Sequence, residues 1–186
     1  MYKWRCRPSR CPGKLGPTVR PRESCSGMTE STPAVPRSFR MKRILTLLAA
    51  ATGIAFILHL VWEYLQCGPF FVHGALKSSN AAMVMATLGD VAMTALAYVA
   101  VSALTRNPYW PLSRWGILHW IALEICAVGF ALAIEWMGLA MDRWSYSDLA
   151  PMLPGINVSL LPILQLVVLF PLTFALAAKI THGVYR

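Results

Sequence analysis

The sequence predicts an all-α integral membrane protein: a four-helix bundle with both termini cytoplasmic, preceded by a disordered N-terminal tail. Three observations lead there. Hydrophobic residues make up 56% of the chain and charged ones 13%, the balance of a membrane protein. Apolar runs over 44–66, 81–104, 115–140 and 156–178 each reach the roughly 20 residues that cross a hydrocarbon core of about 30 Å at about 1.5 Å per residue. Lys and Arg gather at one end of these runs, which sets the orientation.

Residues 1–40 form the tail. Pro8, Pro12, Pro17, Pro21, Pro33 and Pro36 break any helix, and nine Lys/Arg stand against Glu23 and Glu30. Such a stretch buries no core and is expected to be disordered. One reading is a basic arm on anionic lipid, with about 1 kcal/mol for each Lys or Arg near the surface. The other is an upstream start assignment, because Met41-Lys42-Arg43 before an apolar run is itself a natural beginning. After residue 40 the chain has eight basic and six acidic residues, so the bundle is near +2 and the overall +9 gives no support to nucleic-acid binding. Cys6, Cys11 and Cys25 lack paired CxxC spacing and would face a reducing cytoplasm, against a zinc site or a disulfide framework.

The first span, 44–66, begins like a secretory signal but runs on through Gly53-Ile54-Ala55-Phe56-Ile57-Leu58. That length marks a retained anchor. Arg37, Arg40, Lys42 and Arg43 precede it, Arg106 and Arg114 separate the second span from the third, and Lys179 and Arg186 follow the fourth. The opposite loops carry only Lys77 and Arg143. Cys67–Asn80 and Met141–Gly155 are therefore expected outside. Pro151, Pro154 and Gly155 exclude a continuous helix before the fourth span, and Pro162 and Pro171 are expected to loosen that span.

Ionisable residues within the spans carry the functional reading. An ionised Asp at a helix centre costs about 2.5–3.5 kcal/mol even on lenient insertion scales. His59 and Glu63 are four residues apart and share a face. Glu124 and Glu135 are eleven apart, close to three turns, and share another. Asp90 has Thr87 and Thr94 a turn away on either side, each able to hydrogen-bond its carboxyl. Counting from the predicted span ends places Glu63 about 5 Å, Glu135 about 8 Å, and Asp90 and Gln165 about 14 Å below the outer boundary. The expectation is one shared polar cavity in the outer half, lined by His59, Glu63, Asp90, Glu135 and Gln165, with Arg143 at its mouth. Trp144 and Tyr146 join the substrate-binding set, or serve only as interfacial aromatics. Cys67 and Cys126, single thiols on apolar helices, read as packing residues. No Gly-rich phosphate loop, zinc-ligand spacing or internal repeat occurs, and no metal or cofactor is expected.

The strings His59-Leu-Val-Trp62-Glu63-Tyr-Leu-Gln66-Cys-Gly-Pro69, Gly89-Asp90, Asp142-Arg-Trp144-Ser-Tyr146, Met152-Leu-Pro154-Gly and Pro162-Ile-Leu-Gln165 together resemble a family of small, uncharacterised polytopic bacterial membrane proteins. The resemblance runs from about Met41 to the end and implies a multi-pass protein of the bacterial inner membrane. The Trp62-Glu63 pair is also similar to the Trp-Glu of integral-membrane terpene cyclases, in which a membrane-embedded acid protonates an olefin or epoxide.

Three functional classes follow. The first is acid–base chemistry on a lipid-like or isoprenoid substrate, with Glu63 or Asp90 as the acid and His59 as orienter or base. The second is proton-coupled movement of a small solute or ion, with the carboxyls as a relay extending to Glu124 and His119. The third is a non-catalytic assembly subunit whose acids hold helices together. Expected partners are membrane lipid and a lipid-like small molecule.

Overall fold

The computed structural model describes residues 36–73 and 80–186. The tail up to residue 35 and the stretch 74–79, with Lys77, lie outside the described residues.

Four helices span the apolar runs: α1 (Arg37–Phe70), α2 (Asn80–Thr105), α3 (Ile117–Ala140) and α4 (Leu160–Val184). All four are long and apolar enough to cross a membrane. α1 packs on α4 and α2, and α3 packs on the same two, so the helices form an up-down ring. At one end Phe71–His73 (β1) pairs antiparallel with Trp144–Tyr146 (β2), in the register Phe71 to Tyr146 and His73 to Trp144. We call this the ribbon end. The opposite, basic end carries the start of α1, the link between α2 and α3, and the end of α4.

Lipid dictates the burial pattern. Ile57, Leu65, Met85, Leu96, Ile117 and Ile125 are exposed on the outer surface, while His59, Glu63, Asp90, Glu135 and Gln165 are buried inside. This inverts a soluble core and suits a hydrocarbon solvent, in which apolar groups need no burial and polar ones need partners. The interior face of α1 is one i,i+4 stripe, Leu47, Ala51, Ala55, His59, Glu63 and Cys67. It is apolar toward the basic end and polar toward the ribbon end. The basic half closes on an aromatic plug. Trp110, in a single 3-10 turn (Trp110–Leu112), is fully buried and packs on Tyr98, Trp115, His119 and Phe174 at centroid distances of 5.0–6.4 Å. Tyr98 donates its hydroxyl to the Pro108 carbonyl at 2.7 Å, pinning the link in place.

Helix ends differ from the predicted ones in ways that matter for depth. α1 starts at Arg37 and ends at Phe70, beyond both limits of 44–66. Its 34 residues make a rod of about 51 Å. α4 starts at Leu160, not at 156, because Gly155 (φ 86°) and Asn157 (φ 50°) take left-handed backbone in a tight turn. Leu153 N–H donates to the Val158 carbonyl across that turn at 2.8 Å. Ser159 then caps the helix by accepting from Leu161 N–H at 3.3 Å. Pro162 therefore sits in the first turn, where its missing N–H removes no bond. Only Pro171 lies in the interior, and it leaves the Val167 carbonyl without its helical donor.

Candidate functional site

With these ends, helical rise places Glu63 about 10 Å, Gln165 about 8 Å, Asp90 about 15 Å and His59 about 16 Å from the ribbon end of their helices. Side-chain length closes the remaining differences. Gln165 on α4 is the hub: its Nε2 lies 2.7 Å from Asp90 Oδ2, 3.2 Å from Glu63 Oε1 and 3.1 Å from His59 Nδ1. His59 Nδ1 is itself 3.3 Å from Asp90 Oδ2. Three helices thus meet through four side chains, all buried.

Gln66 and Cys67 extend the network. Gln66 Nε2 donates to Glu63 Oε1 at 3.0 Å and to Gln165 Oε1 at 3.1 Å, and its Oε1 accepts from Trp62 Nε1 at 2.9 Å. These bonds fix the orientation of both amides. Cys67 Sγ donates to Glu63 Oε2 at 3.3 Å, so this thiol is a member of the polar network and does more than pack. Thr94 Oγ1 lies 3.4 Å from His59 Nε2 but gives its hydrogen to the Asp90 backbone carbonyl at 2.9 Å. Thr87 likewise bonds the Met83 carbonyl at 2.8 Å. Neither threonine supports the Asp90 carboxyl as expected, because a threonine in a helix reaches its own preceding turn more easily.

Donor and acceptor accounting shows what this arrangement can do. Thr94 has spent its hydrogen, so it can only accept from His59 Nε2, which places a hydrogen there. Gln165 Nε2 has two hydrogens for three neighbours. When His59 is neutral, its Nδ1 accepts one of them and Asp90 the other. When His59 is protonated, Nδ1–H points to Asp90, and Gln165 serves Asp90 and Glu63. Both states use the same heavy-atom positions. A proton can arrive at or leave His59 with only a change of hydrogen-bond partners.

Glu135 on α3 belongs to a second group. Its Oε2 accepts from Trp144 Nε1 at 3.2 Å and from the Tyr146 hydroxyl, both on β2. Among the described residues it shares no hydrogen bond with His59, Glu63, Asp90 or Gln165. Burial, with Glu135 as acceptor, pushes the Tyr146 phenol well above its ordinary range, so it stays a donor. Trp144 can lie over α3 only because position 138 is glycine, where a Cβ would come within 2.0 Å of the indole ring. Trp144 and Tyr146 thus fasten the ribbon to α3 through their polar atoms. Arg143 is exposed, and among the described residues no ion pair joins it to Glu135 or Asp142. Two cavities lie away from the cluster: one of about 190 Å³ beside Val72, Asp142, Trp144 and Ser145, and one of about 290 Å³ at the basic end.

Glu124 is half-buried and His119 sits in the aromatic plug. Glu124 Oε2 and His119 Nε2 are buried without a hydrogen-bond partner among the described residues. His119 Nδ1 accepts from Gly116 N–H at 3.1 Å, so the unpartnered Nε2 carries the hydrogen.

Gln66 and Cys67 belong to the site although the sequence alone does not single them out. Their signal was position, since they continue the His59, Glu63 stripe on α1. Comparison with protein-family models, with curated proteins and with solved structures finds no match to this chain.

Proposed function

We propose that the His59, Glu63, Asp90, Gln165 cluster is a proton-handling site that acts on a lipid-like, isoprenoid-type substrate within the membrane. The observation that carries this reading is the three-way contact of Gln165 Nε2, which accommodates His59 in either protonation state. Two carboxyls and one imidazole meet there, and no Lys or Arg hydrogen-bonds them among the described residues. A charge-neutral interior requires at least one carboxyl to hold a proton, because unpaired charge is strongly disfavoured at this depth. Glu63 is assigned the role of acid and the His59–Asp90 pair that of base and orienter. The substrate approaches laterally beside Asp90. Asp90 keeps 12% of its side chain exposed while His59 keeps none, and a Cβ at the neighbouring Gly89 would meet nothing within 4 Å. The bacterial inner membrane, with both termini cytoplasmic, is the setting that the Lys/Arg distribution and the family resemblance support.

Protonation of an olefin in deuterated water leaves deuterium on carbon, whereas an epoxide takes the proton on oxygen, where deuterium exchanges away. Purified protein in liposomes loaded with unsaturated isoprenoid alcohols is therefore expected to yield deuterated product by mass spectrometry. Glu63→Gln should lower this by about 10²–10⁴-fold, the usual contribution of a positioned acid. Equal incorporation by wild type and Glu63→Gln would contradict the assignment. The unpartnered Glu124 and His119 atoms favour a second reading, in which the cluster passes protons across the bundle to drive a small solute. Proton flux into liposomes that fails in Glu124→Gln would select it.

A further inference from the structure

The basic end contains a feature that the proton-handling site does not use. α1 is about 20 Å longer than the hydrocarbon core is thick, so its first turns stand at headgroup depth. Phe39 packs edge-on against Tyr185 at 5.4 Å, and Thr46 Oγ1 lies 3.0 Å from the Tyr185 hydroxyl. Those contacts hold the start of α1 against the end of α4. Arg40 and Arg43, three residues apart, then line a cavity of about 290 Å³ with Phe39, Tyr109, Leu112 and Ser113.

Two observations say what the cavity takes. Arg43 Nε is buried with no hydrogen-bond partner, and among the described residues no carboxylate lies in ion-pair range of either arginine. The Tyr109 hydroxyl also makes no hydrogen bond among the described residues. A buried guanidinium N–H without an acceptor is costly, and two arginines with a phenol form a donor set matched to tetrahedral oxyanions. The volume is near the lower limit of about 300 Å³ for sites that hold drug-sized ligands, which suits a headgroup. Phe39 is 40% exposed at the rim, giving acyl chains an apolar exit.

We propose that Arg40 and Arg43 form a binding site for a phosphate ester anion, supplied by the headgroup of an anionic membrane lipid. Lipid is favoured over soluble phosphate because the cavity opens beside apolar surface at headgroup depth.

The full-length protein, extracted from vesicles of equal phosphatidylcholine and phosphatidylglycerol, is expected to retain phosphatidylglycerol preferentially in native mass spectrometry. Arg40→Gln with Arg43→Gln should cut that preference by about 30-fold, from about a tenfold effect per 1.4 kcal/mol and two basic contacts. Arg40→Lys with Arg43→Lys keeps the charge without the forked donors and should fall between. Lys42→Gln, which does not line the cavity, should match wild type. Equal retention of the two lipids by wild type, or an undiminished preference in the double Gln variant, would overturn the site. Displacement of the lipid by millimolar inorganic phosphate would overturn the lipid assignment.

Discussion

The two halves of the bundle solve the same packing problem with different chemistry. Toward the basic end, Leu47 and Ala51 on α1 share one apolar cluster with Tyr98, Trp110, Phe170 and Phe174, and contact is made by shape. Toward the ribbon end the same stripe of α1 presents His59, Glu63 and Cys67, and His59 meets α2 while His59 and Glu63 meet α4 through polar side-chain contacts. Apolar packing dominates the basic half, with a Thr46–Tyr185 hydrogen-bond contact at its end. Acids and an imidazole at bilayer depth carry a penalty that a Leu or Ala would avoid. That contrast is what motivates the proposed chemical task of the ribbon half, whereas the basic half is held mainly by packing with the proposed lipid site at its end.

The contrast breaks most visibly by mutation. Phe174→Ala should destabilise the bundle by about 3–5 kcal/mol, the range for a buried aromatic truncation, measured by steric-trap unfolding in bilayers. It should leave the proton-handling readout intact. Gln165→Leu should destabilise by about 1–3 kcal/mol for each group left without a partner, and unlike Phe174→Ala it should also abolish deuterium incorporation. If both variants impaired activity in proportion to stability, the division of labour would be wrong.

Finer tests act on the second group. Gly138→Ala forces the Trp144 indole off α3 and should cost about 1–3 kcal/mol, as overpacking does. Its signature is a red-shifted Trp fluorescence, which an unmoved indole would not give. Tyr146→Phe should cost about 1 kcal/mol at neutral pH for the lost bond to Glu135. Because the folded phenol lies above the ordinary value of about 10, its stabilisation is complete below that pH and is lost as pH rises through the folded value. The phenylalanine variant should lack that share of the alkaline loss, seen as a shallower fall in melting temperature.

Much of this was legible in the sequence, and the limits have physical causes. Four spans follow from apolar length alone, which is how hydrocarbon selects helices. The sharing of a face by His59 and Glu63 follows from their i,i+4 spacing. The start of α4 did not follow, because left-handed backbone at Asn157 has no signal in hydropathy. Cys67 looks like a packing residue until Glu63 is brought beside it, and nothing in the sequence marks Gln66 as the partner of Glu63 and Gln165. Glu135 looked like part of the same set by depth, but Trp144 and Tyr146 satisfy it separately, a pairing that depends on Gly138 and on the ribbon register. Depth ranks residues along a helix axis and cannot say which neighbour each one meets.

The claim that one cluster holds a mobile proton is tested most directly by infrared difference spectroscopy of the protein in lipid at neutral pH. The account predicts a protonated-carboxyl C=O stretch that shifts in D2O, disappears in Glu63→Gln and persists in Glu135→Gln. Absence of that band in the wild type, or its survival in Glu63→Gln, would contradict it.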